Sequence, residues 1–157
     1  MSLEQFLYND LIKLNIECND QDEFFELMFN EAKNKGFVED TFLSKIKERE
    51  SVFPTGLAMN NYSVAIPHTD PEQVKEQFIA IATLKRPVKF SLMSDASQQT
   101  NVNVIFMLGL NQPHSQLSTL QQLMGMIQDS SNIEKLLAAT NSDEVREVIK
   151  SLETTNI

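Results

Sequence analysis

Two runs of consecutive apolar residues dominate the middle of the chain, Phe78-Ile-Ala-Ile-Ala-Thr-Leu84 and Val102-Asn-Val-Ile-Phe-Met-Leu108. Both have strand length, and their continuity suits strands covered on both faces. Leu11, Ile12, Leu14 and Ile16 form a further strand-like segment, and Tyr62 to Ile66 reads as a strand ended by Pro67. The stretch from Pro87 to Phe90 predicts a short edge strand. Elsewhere the apolar spacing is helical. Asp20 reads as a helix N-cap with Glu23 completing a capping box, Phe24, Phe25, Leu27 and Met28 follow, and Gly36 supplies the stop. A second helix is predicted from Asp40 to Glu50, with Phe42, Leu43 and Ile46 inward and Lys45, Lys47 and Glu48 outward. From about Ser115, Leu117, Leu120, Leu123, Met124 and Ile127 predict one apolar helix face, on which Met124 and Met126 read as core filler. Ile133, Leu136 and Leu137 mark a short helix, and Val145, Val148, Ile149 and Leu152 a final one capped by Asn141 or Ser142. Phe53-Pro-Thr-Gly-Leu57 reads as a turn. Strands interleaved with helices predict an α/β fold, a mixed sheet between helical layers, in one domain spanning 1–157.

Composition narrows the class of function. A chain of 157 residues supports one full core, and 41% hydrophobic with 22% charged residues is ordinary for a globular protein. No run of about 18 apolar residues occurs, and Met1 to Asp10 lacks a basic start followed by an apolar stretch. Cys18 is the single cysteine, so no intrachain disulfide or thiolate cluster can form, and a cytoplasmic location without membrane insertion is expected. The net charge of −9 argues against a nucleic-acid partner, which needs clustered Lys and Arg, and permits steering of a basic protein.

Candidate chemistry is scarce and therefore informative. The chain has two histidines. His68 directly follows a predicted strand end, in Ala-Ile-Pro-His-Thr-Asp-Pro, where α/β sheets usually carry reacting groups. Pro67 fixes its own φ and keeps Ile66 extended, which aims the next side chain. His114 also follows a strand and a turn, so the two histidines are expected to meet at one edge of the sheet. Arg49, near the end of the second helix, is a guanidinium suited to a phosphorylated imidazole. No metal-ligand spacing is present, Asp70 would need unrelated partners to bind one, and neither a Gly-x-Ser-x-Gly elbow nor a phosphate-binding glycine loop occurs. Acid–base or nucleophilic imidazole chemistry remains, alongside the plain alternative of surface histidines.

Arg49-Glu50, then Phe53-Pro-Thr-Gly-Leu57, then Val64-Ala-Ile-Pro-His68 together resemble the mannitol/fructose-type enzyme IIA domain of the bacterial phosphoenolpyruvate:sugar phosphotransferase system (PTS). The resemblance runs on through Pro87 to Phe90, Ile105 to Leu108, His114, the Leu117 to Met124 helix and Asp143-Glu-Val145. Val52 to Leu57, the segment Ala58 to Ser63, and Pro-His-Thr-Asp make the chain most similar to the galactitol-type subgroup. A carboxylate that mannitol-type relatives carry before the motif is missing, its region holding Asn60, Asn61, Tyr62 and Ser63.

The resemblance implies a single-domain, mixed and mostly parallel sheet between helices. It implies a phosphotransferase in which His68 accepts a phosphoryl group on Nε2. Arg49 would neutralise that group and His114 would contact it. The implied donor is the phosphocarrier HPr and the implied acceptor a cysteine of the cognate IIB, working with a IIC component in uptake of a galactitol-like sugar or polyol. No cofactor or metal is implied. A regulatory IIA-like protein, signalling through phosphorylation of the same histidine, is the alternative.

Overall fold

The computed structural model describes residues 3–155. Its strands are β1 (Ile12–Ile16), β2 (Gly56–Ala58), β3 (Ser63–Ala65), β4 (Phe78–Ser91) and β5 (Gln99–Gly109). Its α-helices are α1 (Gln21–Asn34), α2 (Phe42–Val52), α3 (Pro113–Ile127), α4 (Ser130–Ala138) and α5 (Ser142–Thr155). The strands form one sheet in the order β1-β4-β5-β3-β2. It is mixed: β1–β4 and β3–β5 run parallel, β4–β5 and β2–β3 antiparallel.

Side chains on a strand alternate between faces, so an apolar run must be covered twice. Ile79 and Ile81 of β4, with Val104, Phe106 and Leu108 of β5, pack among Leu123, Met126, Ile133, Leu136, Val145 and Ile149 of α3 to α5. Phe78, Ala80 and Ala82, with Ile105 and Met107, pack among Phe24, Phe25, Met28, Phe42 and Ile46 of α1 and α2. The result is a three-layer sandwich with one aliphatic half and one half rich in phenylalanine. Edge-on ring pairs Phe24–Phe25 and Phe25–Phe90 knit the second half.

Local signals set the helix ends. Asp20 Oδ1 accepts from the Glu23 amide at 3.0 Å, while the Glu23 carboxylate accepts from the Asn19 amide at 3.2 Å, one residue before the cap. Gly36 ends the α1 region with φ +75°, a left-handed conformation that suits glycine. Asn141 Oδ1 caps α5 through the Glu144 amide at 2.9 Å.

Three expectations need correction. Pro87 to Phe90 forms no edge strand but continues β4, which pairs with β5 through Val88, Lys89, Phe90 and Ser91 after an irregularity beyond Thr83. The turn at Phe53 to Leu57 contains the start of an unexpected strand, β2. Gly56 is required there, because a Cβ would lie 2.6 Å from the Ser91 carbonyl oxygen. Leu117, expected inward, is 60% exposed; α3 buries Ser115, Thr119, Leu123, Met126 and Ile127 instead. The side chain of Leu152, expected on the apolar face of the final helix, lies outside the described residues. Among the described residues, no helix is long and apolar enough to cross a membrane.

Candidate functional site

β3 ends at Ala65, and the chain continues through Ile66 and Pro67 to His68. The Leu108 amide donates to the Pro67 carbonyl at 2.9 Å, and His68 bridges to Leu108 in parallel fashion. The backbone on both sides of His68 is thus held against β5. His68 opens onto a cavity of about 180 Å³ lined by Arg49, Thr69, Asp70, Pro71, Leu108, Leu110, Gln116 and Leu120. The C-terminal turns of α2 supply Arg49 from one layer, and the first turns of α3 supply Gln116 and Leu120 from the other.

The imidazole of His68 is half-buried, with Nδ1 2.9 Å from the Ile66 carbonyl oxygen. A carbonyl can only accept, so Nδ1 carries the proton and Nε2 keeps its lone pair. Burial pushes the His68 pKa below its ordinary value; the Ile66 carbonyl opposes this, and the nearby Arg49 charge adds to the lowering. His68 is therefore a neutral imidazole at neutral pH, with a bare, aimed nitrogen.

Arg49 is held from two sides. Its guanidinium lies 4.0 Å from Asp70 and stacks over the Phe53 ring, 4.8 Å from the centroid. The ion pair is loose and partly exposed, so the cation stays available to another anion. Phe53 and its neighbour Val52 are 60% and 61% exposed, and they line a second hollow that shares Arg49, Thr69 and Asp70. Apolar side chains thus flank the cation on the surface.

Glu50, beside Arg49 in sequence, turns inward and is 5% exposed. Its two oxygens accept from the Thr55 amide at 2.7 Å and the Thr55 hydroxyl at 2.8 Å. Burial pushes the carboxyl up to about 7 against the opposing pull of those two bonds. Thr55 in turn accepts, through its carbonyl, the Ile66 amide at 3.3 Å. Glu50 therefore clamps the Pro-Thr-Gly turn to the segment that carries His68.

The structure brings His68 and Arg49 to one cavity and leaves His114 out of it. His114 is exposed on the first turn of α3 and does not line the cavity. Helical phase explains the miss, since residues two apart on a helix point about 200° from one another. Gln116, two positions on, faces the cavity in its place. Asp70, Glu50 and Gln116 were not singled out as site residues from sequence. The Asp two residues after His68 was the available signal for Asp70, and the Arg49-Glu50 pair of the family pattern the one for Glu50, whereas a Gln in a polar helix start carries none. Among the described residues, no group of three His, Cys, Asp or Glu side chains is placed to hold a metal ion.

A family model described as phosphoenolpyruvate-dependent sugar phosphotransferase system, EIIA 2, matches residues 5–152. The galactitol-specific EIIA component of the PTS of Escherichia coli K12 is 29% identical over 129 residues, 82% of this chain and 85% of that protein. Among solved structures, the nitrogen regulatory protein IIA-Ntr of Neisseria meningitidis matches with TM-score 0.78 at 25% identity, covering 93% of this chain and 97% of that one. The mannitol enzyme IIA of Escherichia coli, solved in complex with its phosphorylated IIB, matches with TM-score 0.73 at 21% identity, covering 92% and 96%. With nearly its whole length matched by the family model and its fold shared with these structures, the chain belongs to the EIIA type 2 family of phosphotransferases of the sugar PTS.

Proposed function

We propose that the protein is a cytoplasmic IIA phosphocarrier that takes a phosphoryl group from phospho-HPr onto His68 Nε2 and passes it to a cysteine of a cognate IIB. The observation that supports this reading is the Nδ1–H bond of His68 to the Ile66 carbonyl, which leaves the Nε2 lone pair unused on a ring that lines the cavity. In the first step the Nε2 lone pair attacks phosphorus and the donor's N–P bond breaks. Positive charge develops on the ring and is shared through Nδ1–H with the Ile66 carbonyl. In the second step a thiolate attacks in line, the Nε2–P bond breaks, and the electron pair returns to a neutral imidazole. Arg49 stabilises the equatorial oxygens, whose charge changes little between the steps. Little else is asked of the protein beyond positioning.

The exposed Val52 and Phe53 beside Arg49 suit docking of protein partners rather than enclosure of a sugar. The similarity to a galactitol-specific component supports a polyol system, with sugar selection left to the partners that touch the sugar. The test is phosphorylation by phosphoenolpyruvate, enzyme I and HPr, followed by addition of IIB. The expected product is an acid-labile, base-stable phosphate that is absent from His68→Ala and discharged by a galactitol-type IIB. Labelling that survives His68→Ala undiminished would overturn the assignment. His68-dependent labelling that no IIB discharges would point to signalling instead.

A further inference from the structure

The neutral wall of the cavity holds a polar group with no assigned work. Gln116 is half-buried in the first turns of α3 and shares the cavity with His68 and Arg49. Its Nε2 donates to the Leu110 carbonyl at 3.2 Å. A carbonyl only accepts, so this contact settles which end of the amide is nitrogen. A primary amide nitrogen has two hydrogens. The Leu110 carbonyl takes one, and no partner among the described residues takes the other. The amide is thus tethered by one N–H with its second N–H in reserve. Around it the cavity wall is apolar, formed by Leu108, Leu110 and Leu120, which strengthens any hydrogen bond made there. A phosphoryl group has only acceptor oxygens and needs donors on every side. Arg49 serves it from the α2 layer, but there the cation already shares its charge with Asp70 at 4.0 Å.

We propose that Gln116 is a catalytic residue of the phosphoryl relay, donating its second Nε2 hydrogen to an equatorial oxygen of the group on His68, opposite Arg49. The inference rests on the reading of His68 as the phosphoryl acceptor and adds a neutral donor to it. It also removes His114 from the reaction, since both cannot occupy that side of the cavity from one helix turn. Two variants keep the side chain's length. Gln116→Met deletes the donor, and Gln116→Glu replaces it with a carboxylate that repels the phosphoryl oxygens.

The experiment follows the rate of phosphoryl transfer from phospho-HPr to the intact protein and on to IIB, with the ¹⁵N imidazole spectrum of His68 recorded for each variant. Gln116→Met is expected to slow transfer by about tenfold to a hundredfold, the worth of one donor to a charged group, and Gln116→Glu by more. The His68 resonances are expected to keep the Nδ1–H pattern in both, and His114→Ala to transfer at the parent rate. Either Gln116 variant transferring within about twofold of the parent, on a His68-dependent label, overturns this inference and spares the reading beneath it. A label that does not depend on His68 overturns both.

Discussion

The two walls that meet at His68 are built from opposite materials. On the α2 side the cavity is charged and its side chains are partly exposed: Arg49 and Asp70 form a loose pair, and the exposed Phe53 stacks on the guanidinium. On the α3 side it is neutral, with Leu108, Leu110 and Leu120 around the single polar group of Gln116. The same split runs through the core, phenylalanine-rich beneath α1 and α2 and largely aliphatic beneath α3 to α5. On the proposed relay, the difference separates two tasks. A cation at the rim can attract an incoming phosphoryl group while still wet, whereas a neutral donor among leucines acts only once the group has arrived. Neither wall holds the proposed nucleophile, His68. That is held by the sheet, through Pro67, Leu108 and the Ile66 carbonyl.

Removing the charged wall should have the largest effect. Arg49→Ala is expected to slow phosphoryl acceptance by about a hundredfold to a thousandfold in stopped-flow or quench-flow assays, the usual loss for a donor to transition-state charge. A drop no greater than that of Gln116→Met would erase the proposed asymmetry. Next in size is the buried clamp behind that wall. Glu50→Ala leaves the Thr55 amide and hydroxyl unpaired, and should lower unfolding free energy by about 2–3 kcal/mol in urea titrations. Glu50→Gln retains an acceptor for the Thr55 amide and should cost less than about 1 kcal/mol.

The pH dependence of stability comes next, with two groups that oppose one another and so leave a smaller net change. Glu50 is raised in the fold from 4.5 to about 7, so the stability tied to its protonated form is full below 4.5 and is lost as pH rises toward 7. The window bounds this loss at about 3 kcal/mol. His68 is lowered from 6.5, so its contribution is present above 6.5 and is lost as pH falls through its folded value. Glu50→Gln should therefore flatten the fall between pH 4.5 and 7, leaving a His68-dependent rise with pH. An unchanged profile would show that Glu50 is not the group responsible. The smallest effect is expected at His114. His114→Ala should stay within about twofold of the parent in both transfer steps, because the side chain stands outside the cavity.

Much of this arrangement can be read along the chain. The two apolar runs declared a sheet covered on both faces, and the Asp20–Glu23 box and Gly36 bounded the first helix as expected. His68 and Arg49 were visible because each sits at the end of an element with a residue type that few other positions share. What escaped notice depends on phase and burial, which residue identity does not report. His114 follows a strand as His68 does, yet the helix it opens turns it outward and brings Gln116 inward. Glu50 reads as one more charge in a helix of lysines and glutamates, and only the fold of the following turn brings Thr55 to its carboxylate. Pro87 suggested a separate strand, but β4 absorbs it with an irregularity between Thr83 and Val88. Short β2 is held by backbone pairing with β3 and has no apolar run of its own.

The proposed relay turns on one atom. Phosphorylated protein carrying ¹⁵N-labelled histidine, observed by ³¹P–¹⁵N correlation, reports which nitrogen bears phosphorus. A single coupling is expected, to Nε2 of His68, with Nδ1 still protonated against the Ile66 carbonyl. Coupling to Nδ1 of His68, or to either nitrogen of His114, would contradict it.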